Sequence, residues 1–176
     1  VDEEKIFKII NKNFSQLAPA YYTLVTHWLI NAYKVHKGID KFIILIYLIN
    51  KDLISKRKNQ EMVDYDTFYK DKSLEIPKIN ISDIAKDLLI PKENVRRKIS
   101  ELEERGIIKR KGKKIFIEIS GFSQAKPNIT LNDLSVFVSK FSEVLKDKKI
   151  INKSFDAEEI SKLIKENFSF CWYQFY

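Results

Sequence analysis

Arginine is rare in this chain, and most of its arginines are clustered. Of the five arginines, four lie within the fifteen residues 96–110. The guanidinium group has a planar fork of donors that matches phosphate oxygens and the edge of guanine. The stretch 92–114 holds ten lysines and arginines against four glutamates, which is an excess of six out of the net charge of +8. This chemistry favours a polyanionic partner, nucleic acid first, although a solvated basic face without a partner would have the same composition.

Other chemistries find little support among the 176 residues. The single cysteine excludes a disulfide within the chain and a cysteine-based zinc site. The two histidines, His27 and His36, are nine positions apart and face different sides of one predicted helix. There is no glycine-rich phosphate loop, no nucleophile elbow and no carboxylate pair with a partnering base. We therefore expect no enzyme activity, no cofactor and no metal site.

Hydropathy and the flanking aromatics bear on location and ligands. The longest apolar run, residues 42–50, is far too short to span a bilayer, and no secretory signal is visible. We expect a cytoplasmic protein with no membrane partner. Aromatic residues near both ends of the chain could line a pocket for a small-molecule effector, although core and dimer contacts are the commoner use of such residues.

The basic stretch lies inside a pattern of two helices and a hairpin. Ser82 is predicted to cap a short helix, and Leu89 to Pro91 form a tight turn. A second helix is predicted over 92–105, and Gly106 ends it in a Schellman-type cap. Residues 107–110 and 115–119 then read as two strands around a turn at 111–113. The apolar residues that should face the core of this segment recur at helical spacing: Ile84, Ala85, Leu88, Val95, Ile99 and Leu102.

The motif Ile84-Ala85-(x)5-Pro91-(x)3-Val95-(x)3-Ile99-(x)2-Leu102-(x)3-Gly106-Ile107-Ile108, followed by a basic hairpin, resembles the winged helix-turn-helix of bacterial MarR-type and Crp-type transcription regulators. The resemblance covers 80–119 closely and 39–119 loosely. Leu89 departs from it, because many members of these families carry glycine in the turn. The plan of flanking helices around a central winged domain is more similar to MarR-type proteins.

The resemblance implies a mainly α fold with a winged helix-turn-helix of three helices and a small hairpin wing. The DNA-binding domain would span 39–120 with an insertion at 56–73, between N-terminal helices (1–38) and C-terminal helices (121–176) that serve dimerisation. The implied function is sequence-specific binding of double-stranded DNA as a transcription regulator, with recognition helix 92–105 in the major groove. The wing at 109–115 would contact the backbone or the minor groove.

Individual roles follow from side-chain chemistry and the resemblance. In Crp-like relatives, base readers occupy the positions of Lys92, Glu93 and Arg97. Arg97 could fork onto guanine, Glu93 could accept from cytosine, and Asn94 could pair with adenine. Ser82 and Lys98 are predicted to lie nearer phosphates, and Arg96 is predicted to be exposed on the same helix as the base readers. The wing is predicted to contact DNA through Lys111, Lys113 and Lys114. A winged helix can also act as a protein–protein module in a larger assembly that reads no DNA.

The flanks are predicted to be helical. Helices are expected over 2–14, from Ala18 to about 36, over 39–55, from a cap at Thr130, and from a capping box formed by Asp156 and Glu159. The run 42–49 could also be a buried strand, but its length favours a helix. The insertion 56–73 is expected to be exposed with one helical turn at 64–70. An edge strand is expected within 74–79. A loop is expected at 121–128, after the hairpin.

The aromatic C-terminal run and the apolar second helix predict a homodimer. We expect 2–36 and 130–176 to pack together across a two-fold axis, because specific DNA binding usually needs paired half-sites. The alternative is that the two ends cover one another within one chain.

Overall fold

A computed structural model describes residues 2–59, 61–70, 73–76, 80–111, 114–119 and 128–175, with the backbone alone for 57 and 172–175. The described chain is mainly helical with a small three-stranded antiparallel sheet, so the predicted mainly α class is confirmed. The chain divides into two compact units. Unit 1 comprises Val1–Ile30 with Pro127–Ile164, and unit 2 comprises Asn31–Lys126 with Lys165–Tyr176.

The regular secondary structure described in unit 1 is all helical. It contains α1 (Glu3–Lys12), most of α2 (Phe14–His36), α7 (Asn128–Asp147) and most of α8 (Ala157–Glu166). The α2 and α7 helices run antiparallel, because Tyr21 stacks near Phe137 with 5.9 Å between ring centroids while Nδ1 of His27 lies 2.8 Å from Oδ2 of Asp133. The buried apolar residues of this unit include Leu17, Leu24, Leu131 and Val144.

Two predicted helix starts in unit 1 are wrong. The predicted link before Ala18 is helical, because α2 begins at Phe14 and includes Pro19. Proline removes one backbone donor near the start of the helix, but the buried stripe that includes Leu17 continues past it and holds the turn. Thr130 is a buried residue inside α7, which begins at Asn128.

The capping box before α8 is confirmed. The amide of Glu159 donates to Oδ1 of Asp156 at 2.8 Å, and the amide of Asp156 donates to Oε2 of Glu159 at 3.1 Å. Two backbone donors at this helix start are therefore satisfied by a purely local pattern, which explains why the capping box could be predicted from two residues.

Unit 2 is built around α3 (Ile39–Lys58). This helix contacts the strand β1 (Ser73–Ile76) and three helices: α5 (Ile81–Leu88), α6 (Lys92–Glu104) and the C-terminal α9 (Phe168–Phe175). The predicted helix is confirmed over the alternative of a buried strand. Its core residues are almost entirely excluded from solvent on several sides of the helix: Ile44, Leu45, Leu48, Ile49 and Leu53.

The sheet of unit 2 has the order β1-β3-β2, from β1 (Ser73–Ile76), β2 (Ile108–Lys111) and β3 (Lys114–Glu118). Leu74 of β1 and Ile108 of β2 both pair with Ile117 of β3, and all three side chains are buried. The predicted edge strand is present at Ser73–Ile76, while residues 77–79 lie outside the described part of the chain. Helices α5 (Ile81–Leu88) and α6 (Lys92–Glu104) stand between β1 and β2 in the sequence.

The insertion is only partly as predicted. A short helix, α4 (Tyr65–Lys70), is present at the predicted place, but Tyr65 and Phe68 on it are buried. The ring of Phe168, in α9 (Phe168–Phe175), lies 5.4 Å from that of Tyr65 and 5.0 Å from that of Phe68. The backbone of Val63 accepts from the amide of Ser169 at 3.0 Å. The expectation of an exposed insertion is therefore correct for most of its described residues and wrong for Tyr65 and Phe68, because Phe168 packs against these two side chains.

Candidate nucleic-acid interface

The helix α6 is anchored by its inward face. Val95, Ile99 and Leu102 recur at spacings of four and three, and none of them is more than 1% exposed. Pro91 is the N-cap residue and offers no side-chain acceptor to the first turn. At the other end Gly106 adopts a positive φ of 68°, which favours glycine. This fixed seat determines which residues of α6 face solvent.

Both hydrogen bonds of the predicted Schellman cap are present. The amide of Ile107 donates to the carbonyl of Leu102 at 3.0 Å, and that of Gly106 donates to the carbonyl of Glu103 at 2.9 Å. The chain therefore reverses tightly after α6 and enters β2 directly.

The turn before α6 differs in detail from the expectation. Asn80, rather than Ser82, is the N-cap of α5, and Ser82 is an exposed residue in its first turn. Leu89 ends α5 at a positive φ of 55° with its side chain 90% exposed, where glycine would be less strained. The amide of Ile90 donates back to the carbonyl of Ala85 at 3.1 Å, which closes the turn.

The outer face of α6 is defined here as Lys92, Glu93, Arg96 and Arg97, all exposed in its first two turns. Nη1 of Arg96 lies 2.9 Å and 3.0 Å from the two carboxylate oxygens of Glu93. Nη2 of Arg97 lies 3.5 Å from Oδ1 of Asn94, which is half-buried beside this face. Three cations and one carboxylate thus share a solvent-facing surface, and an incoming polyanion would meet a local excess of positive charge.

Lys98 differs from the other predicted DNA contacts. Its Nζ lies 3.0 Å from Oε1 of Glu101, and its side chain is only 19% exposed. The buried Lys41 of α3 donates to Oε2 of the same carboxylate at 2.9 Å. The bonds from Lys41 and Lys98 lower the pKa of Glu101 to about 2. Lys98 therefore belongs to an ion-pair network that fastens α6 to α3, and its ammonium is not on the outer face.

Two of the four clustered arginines also have internal partners. Arg105 donates from Nη1 to the carbonyl of His36 and from Nη2 to the carbonyl of Val35, both at 2.8 Å. Its guanidinium thus satisfies the last carbonyls of α2, where a cation also complements the helix dipole. Arg110 forms an ion pair with Glu103. The sequence could not assign these roles, because the partners of Arg105 are far away along the chain.

Three lysines of the hairpin share one face of the sheet. Lys109, Lys111 and Lys114 lie on this face and are exposed, whereas Arg110 is exposed on the opposite face and Lys113 lies outside the described residues. Lys109 pairs with Glu118 at 3.2 Å, and Lys114 pairs with Glu75. Nζ of Lys111 lies 5.5 Å from the ring centroid of Phe116. The described cations of the wing are therefore partly balanced by two glutamates on the same face.

The described residues offer little geometry for a metal ion or a small molecule. Across the described ranges, no group of three or more His, Cys, Asp or Glu residues is placed to hold a metal ion. A cavity of about 150 Å³ in unit 1 is lined by Pro19, Ala20, Thr23, Asp133, Val136 and Lys140. It is smaller than common small-molecule sites, and the aromatic residues expected to line an effector pocket are not among its walls. In the described part of the chain, no helix has both the length and the apolar character to cross a membrane.

Comparisons of the chain with family models, with curated proteins and with solved structures give no match.

Proposed function

We propose that this protein binds double-stranded DNA in a sequence-specific manner, as a transcription regulator of the winged helix-turn-helix type with a MarR-like plan. The observation that carries the proposal is the two-sidedness of α6. Its inward side chains Val95, Ile99 and Leu102 are seated in the core of unit 2, while three cations point to solvent from its first two turns. A helix fixed in this way can offer its N-terminal turns to a major groove without rearranging.

The order of elements supports the same proposal. Three helices (α3, α5 and α6) precede a two-stranded hairpin (β2 and β3), which is the order that the resemblance implies. The strand β1, which precedes α5, adds a third strand to the hairpin. Tyr47 of α3 donates to Asp87 of α5 at 2.6 Å, which helps to hold α5 against the central helix. In the proposed complex, α6 lies in the groove and Lys111, Lys113 and Lys114 approach the backbone or the minor groove.

A homodimer is part of the proposal. Several large apolar side chains of α2 are exposed, among them Tyr21 at 39% and Tyr22 at 58%. Their rings are in edge-to-face contact with each other and with Phe14, at centroid distances of 5.6–6.2 Å. An exposed aromatic cluster is typical of an interface, and a second copy would place two recognition helices on paired half-sites. At micromolar concentration, sedimentation equilibrium should give about twice the chain mass of 20.8 kDa, and with operator DNA present it should give two chains bound to each duplex. A mass of one chain would contradict the dimer.

A second candidate function is a protein-interaction module that reads no DNA. Ion pairs within the chain favour it, because they neutralise part of the basic surface. Within the described residues of the basic stretch 92–114, a carboxylate partner is present for Arg96, Lys98, Lys109, Arg110 and Lys114.

A salt titration separates the two candidates. We expect binding to mixed-sequence duplex DNA at low salt, with an affinity that falls steeply as salt rises, because phosphate contacts release counterions. Selection from a random duplex pool should then return a preferred site. Absence of duplex binding at low salt would reject the DNA-binding proposal and favour the interaction module.

Two variants separate base reading from backbone contact. Arg97→Ala should relax the preference at one base position and cost roughly 1–3 kcal/mol on the best site. Lys113→Ala should weaken binding to all sequences alike and lower the salt slope by about one. Equal behaviour of the two variants on specific and random DNA would contradict this division of roles.

A further inference from the structure

The outer face of α6 carries two side-chain pairs with the same spacing and different geometry. Glu93 and Arg96 are three residues apart, and Nη1 of Arg96 contacts both carboxylate oxygens at 2.9 Å and 3.0 Å. Asn94 and Arg97 are also three residues apart, but their contact is single and 3.5 Å long. The first pair therefore holds a defined mutual orientation that the second pair lacks.

Partnering changes what Glu93 and Arg96 can offer to DNA. Each carboxylate oxygen still has a lone pair after accepting from Nη1, and the guanidinium still has donors on Nε and Nη2. The pair thus presents an acceptor beside donors. A lone carboxylate would be repelled by the DNA phosphates, whereas a carboxylate neutralised by its own arginine can approach the groove.

A donor beside an acceptor is what a cytosine–guanine pair displays in the major groove. Cytosine offers its N4 donor, and guanine offers O6 and N7 as acceptors. Carboxylates are suited to the first group and arginine to the second. We propose that Glu93 and Arg96 act as one composite reader of a single C·G pair, with Glu93 accepting from cytosine and Arg96 donating to guanine. This inference rests on the proposed DNA-binding function.

The composite reader differs from a stabilising salt bridge. The side chains of Arg96 and Glu93 are 54% and 74% exposed, and exposed ion pairs contribute little to folding. Both side chains are therefore replaceable without loss of the fold, and effects of substitution should be confined to DNA reading. The Asn94–Arg97 pair is a matched control, because it lies on the same two turns and lacks the close contact.

The test is a double-mutant cycle on the preferred site obtained by selection with the wild-type chain. The variants Glu93→Gln, Arg96→Gln and their combination are compared by duplex affinity and by selection. Each single variant should lose roughly tenfold or more in affinity for the preferred site, and both should lose their preference at the same base pair. The double variant should bind no more weakly than the single variant with the larger loss. Asn94→Ala and Arg97→Ala should instead act at separate positions, and their losses should multiply.

The outcomes distinguish the inference from the function on which it rests. If the wild-type chain selects a site, and Glu93→Gln and Arg96→Gln change different base pairs or multiply in combination, the composite reader is overturned while DNA binding stands. If the wild-type chain binds no duplex, the proposed function and the composite reader fall together. Thermal unfolding of each variant should match the wild type, which excludes misfolding as the cause of a lost preference.

Discussion

The first two turns of α6 carry Lys92, Arg96 and Arg97 on a surface open to solvent, with Glu93 as the partner of Arg96. Beyond them, Lys98 is bound to Glu101, and Arg105 is bound to backbone carbonyls of α2. The two ends of the helix have similar side-chain types and different surroundings. At the C-terminal end, Glu101 and Arg105 meet partners from α3 and α2, whereas at the N-terminal end Arg96 and Arg97 meet partners on the same helix.

This difference shows that the cations of one sequence cluster can differ in role, because some bind partners within the chain and others stay exposed to solvent. The C-terminal end of α6 fastens the helix to unit 2, and Lys41, which is buried, would lack its carboxylate partner without Glu101. The N-terminal end keeps its cations within reach of a ligand. Fixing one end rigidly is what allows the other to be held in a defined position, which a base-reading helix requires.

The largest expected effect concerns the buried inward face of α6, which holds both ends of the helix in place. Leu102→Ala should lower the free energy of unfolding by about 2–5 kcal/mol, because this side chain is 0% exposed and truncation leaves a cavity. Urea unfolding monitored by circular dichroism measures it. Glu104→Ala, two residues away on the exposed side, is the control and should stay within about 0.5 kcal/mol of the wild type. Equal losses would mean that α6 is not seated as described.

The next effect addresses the fastened end directly. Arg105→Ala should lower the free energy of unfolding by about 1–3 kcal/mol, because two charged hydrogen bonds to the end of α2 are lost. Arg105→Lys should recover only part of it, since an ammonium cannot reproduce the fork that serves two carbonyls. Thermal unfolding of the two variants tests this order. If Arg105→Ala unfolds like the wild type, the contact with α2 does not fasten the helix.

Features that depend on neighbours in sequence were predictable. The inward spacing of Val95, Ile99 and Leu102, the Schellman cap at Gly106 and the capping box at Asp156 each need only a few consecutive residues, and all are present. Helix caps and apolar periodicity are local physics, so the sequence carries them directly.

Features that depend on distant partners were missed. Arg105 counts as a basic residue of the cluster until the end of α2 is placed beside it. Lys98 counts as a phosphate contact until Lys41, distant along the chain, is placed on the carboxylate of its neighbour Glu101. Phe168, distant along the chain, covers Tyr65 and Phe68 of the insertion, whose polar composition predicted an exposed segment. Charge and composition record what a side chain can do, and tertiary contacts decide which option is used.

A smaller effect is expected from pH at the fastened end. His36 is 1% exposed, and burial, followed by the cations Arg105 and Lys41, lowers its pKa from 6.5 to about 4. Between these values the unfolded chain binds the proton more readily, so stability should fall as pH drops from about 6.5 towards 4. We expect a loss of about 2 kcal/mol between pH 7.5 and pH 5.

His36→Gln should flatten this dependence in urea unfolding, because it removes the buried imidazole. The carboxylate of Glu101 adds to the pH dependence of stability only at lower pH. Its pKa of about 2 gives stability that is present above its ordinary value of 4.5 and is lost as pH falls from there. A flat profile from pH 7.5 to pH 5 in the wild type would contradict the placement of His36.

The smallest expected effect on stability is at the N-terminal, solvent-exposed end of α6, and the contrast between the two ends depends on this effect being small. Arg96→Ala should change the free energy of unfolding by no more than about 0.5 kcal/mol, because its ion pair with Glu93 is exposed and local. Arg105→Ala, measured alongside, carries the same change of charge from a fastened position. On DNA the order should reverse, with Arg96→Ala losing preference for the selected site while Arg105→Ala, at temperatures where it remains folded, retains that preference. If Arg96→Ala destabilises the fold as much as Arg105→Ala does, the cations of the open end are structural too, and α6 has no separate reading end.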